Sequence, residues 1–153
     1  MIDVLIYSGI TAGTFFLMEA VAWLTHKYVM HGFLWSLHKD HHEPHEGFFE
    51  KNDSFFMIFA VPSFFSMLIG AGSNMPWLLC IGLGILLYGT AYFIVHEVII
   101  HKRFSWFAKV DGYYIRVIRM AHKMHHKHLG KEKGESFGML VVHKKYYDRF
   151  GTR

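Results

Sequence analysis

Histidine spacing constrains this 153-residue chain more than any other feature of its sequence. The stretch HKYVMHGFLWSLHKDHH, residues 26–42, contains the spacing H-x4-H followed by H-x2-H-H. The same two spacings recur in the same order between residues 96 and 126. The ten histidines concerned are His26, His31, His38, His41 and His42 in the first copy and His96, His101, His122, His125 and His126 in the second. Two ordered copies favour a built metal site over a histidine-rich low-complexity loop, which has no fixed spacing.

The spacing also predicts how the imidazoles are arranged. Residues i, i+3 and i+4 of an α-helix share a face, so each H-x2-H-H triplet is expected to point at one spot. His26 and His31 diverge by roughly 140° on a regular helix of ~3.6 residues per turn. Either they serve different metals of a pair, or the helix is distorted between them; the same holds for His96 and His101. Ten imidazoles exceed the needs of one ion, so two metals are expected, of a kind that imidazole suits, such as zinc, copper, iron or nickel.

Composition indicates a membrane protein. The chain is 52% hydrophobic with a mean hydropathy of +0.20, which is high for a soluble protein. Three apolar runs are long enough to cross a bilayer, at about residues 2–25, 54–71 and 76–95. The histidines lie in the polar regions 26–53 and 96–153. We therefore predict an all-α integral membrane protein, a single domain over 1–153, whose three transmembrane helices carry a helical cap with a dimetal site.

Basic residues are distributed unevenly along the chain. All sixteen Lys and Arg residues lie within 27–51 and 102–153. Because cytoplasmic segments are enriched in Lys and Arg, both regions are predicted to be cytoplasmic, with the N-terminus and the turn at 72–74 outside. All the histidine motifs then meet at the cytoplasmic face, as a shared metal site requires. A basic, aromatic region after Lys102 is also typical of nucleic-acid binding, but a membrane-embedded chain argues against that partner.

Polar side chains near the histidines are candidates for orienting the metal ligands. Glu19 lies in the first apolar run, seven residues before His26, where it either supports the metals from behind or is protonated or paired with another span. Glu97 precedes His101 by four residues and could orient that imidazole. Three further candidates could instead cap a helix or lie in a loop: Asp40, Asn52 and Asp53.

The segments around these histidines resemble the membrane-bound fatty acid hydroxylase and sterol desaturase superfamily, and within it the bacterial β-carotene hydroxylases. The matching segments are HKYVMHGFLWSLHKDHH at 26–42, FEKND at 49–53, YFIVHEVIIHKRF at 92–104 and RMAHKMHHKHLGKEKGESFGML at 119–140. The similarity runs from about Thr25 to Leu140. His45, His128 and His143 lie outside the pattern, and no ligand role is assigned to them.

The resemblance implies the chemistry. The histidine boxes of this superfamily hold a di-iron centre, so the ten histidines would bind two Fe2+ ions, with O2 as co-substrate and electrons supplied from outside the chain. The resemblance to β-carotene hydroxylases implies a non-haem monooxygenase of the inner membrane that hydroxylates C3 of each β-ionone ring, giving β-cryptoxanthin and then zeaxanthin. The basic region after Lys102 is expected to dock a ferredoxin, which receives its electrons from a reductase, or to attract anionic lipid.

Two other functions remain open. The chain could hydroxylate or desaturate another membrane lipid, such as a fatty acyl chain or a sterol. It could also be a histidine-rich transporter of divalent metals. Transporters place their ligands near the middle of the membrane, whereas these histidines follow the ends of the apolar runs, which disfavours transport.

The charge distribution predicts the topology directly. A reporter fused after Arg153 should report the cytoplasm, because all the basic residues lie in segments assigned to that side. An external signal would contradict both the topology and a metal site shared by the two histidine regions.

Overall fold

Helices account for all the regular structure in residues 1–43, 47–107 and 109–150, which are the residues described by this computed structural model. The α-helices are α1 (Ile2–Leu24), α2 (Trp35–His42), α3 (Phe55–Gly72), α4 (Pro76–Phe93), α5 (Tyr113–His126) and α6 (Lys144–Asp148). A first π segment, Thr25–Phe33, continues α1, and a second, Ile94–Ile100, continues α4. A short 3-10 turn, Lys51–Ser54, leads into α3.

Three of the helical stretches are long and apolar enough to cross a membrane: Ile2–Phe33, Lys51–Gly72 and Pro76–Ile100. The predicted all-α fold with three such helices is therefore confirmed. The first and third helices extend beyond the predicted apolar runs, because each continues into a π segment that carries histidines. The large apolar side chains that stay exposed on these helices, such as Leu5, Phe16, Phe64 and Leu87, suit contact with lipid rather than with water.

Small residues bring the three long helices together. Gly82 of α4 lies against Ser63 and Met67 of α3, and the Ser63 hydroxyl donates a hydrogen bond of 2.8 Å to the Gly82 carbonyl oxygen. On its other side, α4 meets α1 where Gly84 lies against Thr11 and Thr14. Close backbone approach at small residues is a common way of packing helices in a membrane, where the hydrophobic effect gives little drive to associate.

The two π segments hold the H-x4-H motifs. In the first, the Leu34 N–H donates to the Val29 carbonyl oxygen at 3.0 Å, and in the second the His101 N–H donates to His96 at 2.9 Å. Both are i→i+5 bonds, which bring residues five apart towards the same face of the helix. The first π segment then breaks at Gly32, where φ is −105° and ψ is −122°, and the chain turns into α2.

The contact between α1 and α4 can be tested at two glycines of the same helix. A Cβ added at Gly84 would lie 2.6 Å from the Thr14 Cβ and 2.7 Å from the Thr11 carbonyl oxygen, whereas one at Gly89 meets nothing within 4 Å. We expect Gly84→Val to destabilise the protein by about 1–3 kcal/mol through overpacking. Thermal unfolding in detergent measures this, with Gly89→Val as the control; equal effects of the two would contradict this packing.

Candidate metal centre

The histidines from both copies meet in two adjacent clusters. The first cluster comprises His26, His31, His38, His42 and His125, and the second comprises His41, His96, His101 and His122. Within each cluster the potential ligand atoms all lie within 4.8 Å of one another. Eight of these nine side chains are buried, and His101 is partly exposed. His126 joins the two clusters: its ring stacks on that of His42 with centroids 4.5 Å apart and also lies 4.8 Å from that of His41.

The π segments decide between the two arrangements expected for H-x4-H. His26 and His31 belong to the same cluster, with ring centroids 5.3 Å apart. His96 and His101 likewise share the second cluster, at 4.5 Å. The alternative of a distorted helix is thus confirmed, and the alternative that each pair is divided between two sites is wrong. The wider winding of the π segments compensates for the roughly 140° that a regular helix would put between these residues.

The expectation that each H-x2-H-H triplet points at one spot is wrong. His38 and His42 face the first cluster, but His41 lies in the second, with its Nε2 atom 3.2 Å from that of His96. In α5, His122 lies in the second cluster and His125 in the first, with its Nε2 atom 3.2 Å from that of His31. Consecutive residues on an α-helix are ~100° apart, so a triplet covers enough of the helix surface to face two sites. Each copy therefore gives one histidine to the other copy's cluster.

Uncharged oxygens hold the outer nitrogens of the first cluster. The Nδ1 atoms of His26, His31 and His125 lie 3.0, 3.0 and 2.9 Å from the carbonyl oxygens of Phe137, Lys131 and Glu135. The other two histidines of this cluster also contact uncharged oxygens. Nδ1 of His42 is 3.2 Å from the His128 carbonyl oxygen, and Nδ1 of His38 is 2.6 Å from the side-chain oxygen Oδ1 of Asn52. The segment from His128 to Phe137 thus encloses this cluster with its backbone.

Carboxylates take the corresponding place behind two histidines of the second cluster. Nδ1 of His41 lies 2.7 Å from Glu50 Oε2, and Nδ1 of His96 lies 2.6 Å from Glu97 Oε1. Arg103 in turn donates to Glu97 at 3.1 Å and, through both terminal nitrogens, to Asp53 at 2.6 and 2.7 Å. Such outer partners fix the ring orientation and the tautomer of a metal-binding histidine.

The inner nitrogens make a metal ion the natural occupant of both clusters. A carbonyl or carboxylate oxygen can only accept, so Nδ1 carries the proton and Nε2 presents a lone pair. Yet Nε2 of His38 lies 3.1 Å from that of His26 and 3.2 Å from that of His42, and Nε2 of His41 lies 3.2 Å from that of His96. Facing lone pairs at such distances repel unless a cation lies between them. Five converging imidazoles also exceed the four ligands of a structural zinc site.

Burial prevents protonation from removing this repulsion. It lowers the pKa of His38 to about 2 and that of His42 to about 4. It also lowers the pKa of both His101 and His125 to about 3, with neighbouring histidines adding to the effect. These imidazoles are therefore neutral at physiological pH, which is the form that binds metals.

Glu19 is paired with another span and with the segment that encloses the first cluster. Its Oε2 atom accepts a 2.7 Å hydrogen bond from the Tyr88 hydroxyl of α4. Its Oε1 atom accepts the backbone N–H groups of Met139, Leu140 and Val141, each at 2.9 Å. Glu19 therefore acts on the histidines indirectly, by fastening residues 139–141, just beyond the carbonyls that hold His26 and His125.

The other candidate orienting residues divide into two groups. Asn52 contacts a histidine directly, at His38. Glu97 also contacts a histidine, but the prediction that this histidine is His101 is wrong. Glu97 contacts the preceding residue, His96, because the π winding rotates Glu97 away from the face that it would share with His101 on an α-helix. Asp40 accepts the Lys51 N–H at 2.7 Å and Asp53 accepts that of Glu50 at 3.1 Å, so both organise the turn before α3.

Sequence reasoning missed several residues of this centre. Glu50 and Arg103 lie inside two of the segments that carried the family resemblance, FEKND and YFIVHEVIIHKRF, and that proximity was the available signal. The carbonyl oxygens of residues 128–137 had no signal, since a backbone contact depends little on side-chain identity. Of the extra histidines, His143 is exposed and caps α6 through the Lys145 N–H, and His128 contributes its carbonyl oxygen. His45 lies outside the described residues.

Comparison with known proteins identifies relatives over most of the chain. The family model described as fatty acid hydroxylase matches residues 11–151. A β-carotene hydroxylase of Pantoea ananas is 44% identical over 126 residues, which cover 82% of this chain and 71% of the relative. One of Paracoccus sp. (strain PC1) is 37% identical over 134 residues, covering 87% and 82%. The chloroplastic β-carotene 3-hydroxylase 2 of Arabidopsis thaliana is 37% identical over 127 residues, covering 81% and 41%. No solved structure matches the chain significantly.

The exchange of histidines between the two copies can be tested through metal content. We expect His125→Ala to lose at least half of the bound metal, because His125 joins four histidines of the first copy in the first cluster. His41→Ala should cause the same loss, because His41 joins three histidines of the second copy in the second cluster. Both changes should also abolish activity. Metal analysis of the purified protein measures the loss. His143→Ala, an exposed histidine outside the clusters, is the control and should retain all metal and activity, as should His45→Ala; full metal content in both cluster variants would contradict the assignment.

Proposed function

The chain belongs to the fatty acid hydroxylase family, and from this premise we propose that it hydroxylates β-carotene at C3 of the β-ionone rings, giving β-cryptoxanthin and then zeaxanthin. The names of its bacterial and plant relatives support a carotenoid substrate. The observation that carries the proposal is the facing of unprotonated Nε2 atoms, at 3.1–3.2 Å, in two adjacent buried clusters at the ends of membrane-spanning helices.

The proposed ligands are the nine clustered histidines together with His126. The Nε2 atom of His126 is buried and has no hydrogen-bond partner among the described residues, which suits a ligand of the second cluster. His42, which stacks on it, occupies the equivalent position in the first copy and lies in the first cluster. With His126 included, each metal has five histidines, four from one copy and one from the other.

Two iron ions in these clusters would supply the activation of O2, which, with two electrons and two protons, becomes a hydroxyl group on the substrate and one molecule of water. The chain's own residues keep the ligands neutral, oriented and shielded. Carbonyl oxygens of residues 128–137 and the side chains of Asn52, Glu50 and Glu97 hold the Nδ1 protons. An all-imidazole ligand set adds no negative charge of its own, so it favours the divalent state that reacts with O2. The chemistry resembles that of soluble di-iron enzymes, although no glutamate here has a histidine three residues later, the motif of those helical bundles.

An apolar groove on the membrane side of the protein is connected to the second cluster by a line of packed aromatic rings. A groove of about 520 Å³ between α1 and α4 is lined by apolar residues that include Phe15, Phe16 and Leu87. From Phe15, ring contacts continue to Tyr88 at 5.7 Å, to Tyr92 at 6.3 Å and to His96 at 5.1 Å between centroids. A lipophilic substrate that enters sideways from the bilayer would meet this groove, which supports a carotenoid and would equally admit a fatty acyl chain or a sterol.

The buried clusters favour catalysis over metal transport. Nine histidines from both copies converge, and the Nδ1 atoms of seven of them are held by oxygens, which suits ions that stay bound. A transporter needs a site that opens alternately to both sides near the middle of the membrane. The proposed location is the inner membrane with the metal centre on the cytoplasmic side, as the distribution of Lys and Arg supports.

Pigment analysis tests the reaction. In a bacterium that accumulates β-carotene, expression of the chain should convert most of the pigment into zeaxanthin with β-cryptoxanthin as the intermediate, and His41→Ala should leave β-carotene unchanged. Chromatography of the extracted pigments measures the result. Unchanged β-carotene together with a newly hydroxylated or desaturated fatty acid would favour the function on another lipid.

We also propose that the electrons come from an acidic redox protein, most simply a ferredoxin with its reductase. Thirteen of the sixteen cationic residues follow residue 101, and Lys127, Lys131 and Lys133 among them are exposed. In neutral detergent, where anionic lipid is absent, reduction of the metal centre by ferredoxin should slow steeply with ionic strength and in the variant with these three lysines changed to Glu. A stopped-flow rate that is indifferent to both would restrict the basic region to lipid binding.

A further inference from the structure

The two clusters differ in the charge of the groups behind their histidines. Every histidine of the first cluster has its Nδ1 on an uncharged oxygen, from four backbone carbonyls and the Asn52 amide. Two histidines of the second cluster, His41 and His96, have theirs on carboxylates, at 2.7 and 2.6 Å. The two copies of the motif are therefore equivalent in their ligands but not in what surrounds them.

Among the described groups behind the second cluster, carboxylates outnumber the guanidinium that pairs with them. Glu50, Glu97 and Asp53 supply three carboxylates, and Arg103 supplies one guanidinium that binds two of them. A carboxylate that accepts the Nδ1 proton of an imidazole increases the electron density and basicity of that ring. A metal ion bound to such a ring is stabilised more strongly as its own positive charge increases.

Access to water also favours the more highly charged ion in the second cluster. A polar cavity of about 220 Å³ adjoins the second cluster and is lined by Glu50, Glu97, His101 and Arg103. His101 is partly exposed, whereas all five histidines of the first cluster are buried. Because hydration and nearby negative charge both stabilise the more highly charged ion, the burial and the neutral partners of the first cluster favour the less charged one.

We propose that Glu50 and Glu97 make the two metal positions inequivalent, so that the iron in the second cluster is oxidised first and reduced last. This inference rests on the proposed di-iron centre and adds a direction to it. Glu50 and Glu97 are positioning residues that act through His41 and His96. The polar cavity beside them places the iron that holds the higher charge next to water.

Two isosteric substitutions test the direction. Glu97→Gln keeps an oxygen that can accept from His96 but removes the charge behind the second cluster. Asn52→Asp keeps the acceptor for His38 and adds a charge behind the first cluster, which makes it the matched reverse change. The reduced protein is loaded with 57Fe2+ in detergent and oxidised stepwise at controlled potential without O2, and Mössbauer spectroscopy counts ferrous and ferric iron at each step.

The native protein should be oxidised in two one-electron steps, with a mixed-valent form predominating between them. Glu97→Gln should raise the potential of the first couple to be oxidised, and Asn52→Asp should lower that of the second. Each should reduce the equilibrium constant for forming the mixed-valent form about tenfold, or about 59 mV for a one-electron couple. Glu50→Gln should act like Glu97→Gln and replaces it if that variant does not retain two irons.

The outcomes separate this inference from the function it rests on. A native protein that binds one iron or none would overturn both the di-iron centre and the inequivalence. Two bound irons oxidised together would overturn the inequivalence alone, and a glutamate substitution that moves the second couple instead of the first would overturn its direction. Because the measured quantity is a potential and each variant is compared at two irons per chain, a merely structural loss cannot imitate the expected result.

Discussion

Mutual repulsion among imidazole lone pairs is the constraint on which the rest of this structure depends. Nine histidines are held with Nδ1 or Nε2 atoms converging, and where the outer nitrogen is bound to an acceptor the inner one has no proton to share. Burial, which lowers the pKa of His38 and His101, closes the alternative of protonation there. The arrangement is stable only with cations inside it, so folding and metal binding are expected to be coupled.

This constraint explains why so much of the chain serves as a scaffold around the clusters. The segment 128–137 turns four of its carbonyl oxygens towards histidines. Glu19 fastens the continuation of that segment to α1 and, through Tyr88, to α4. The membrane-spanning helices and the polar cap are thereby connected through one set of hydrogen bonds, and a carboxylate that would be costly in a membrane helix is compensated by four donors.

The exchange of one histidine between the two copies has a structural consequence as well as a chemical one. His41 of α2 completes the second cluster and His125 of α5 completes the first. Neither cluster can form from one copy alone, so the two polar regions, separated by two spans in the sequence, must dock before either metal has its full set of ligands. The stacked pair His42 and His126 lies where the two copies meet.

The sequence by itself determined the class of fold and the three spans, and it singled out histidines that the structure brings together, because hydropathy and residue spacing are properties of the chain order. It also predicted that H-x4-H needs either a distorted helix or two separate sites. Only the tertiary structure decided between these, through the two π segments, and divided each H-x2-H-H triplet between the clusters. The tertiary structure likewise assigned Glu19 to the backbone at 139–141, which lies far away in the sequence. It assigned Glu97 to His96, because the local π winding departs from the spacing of a regular helix.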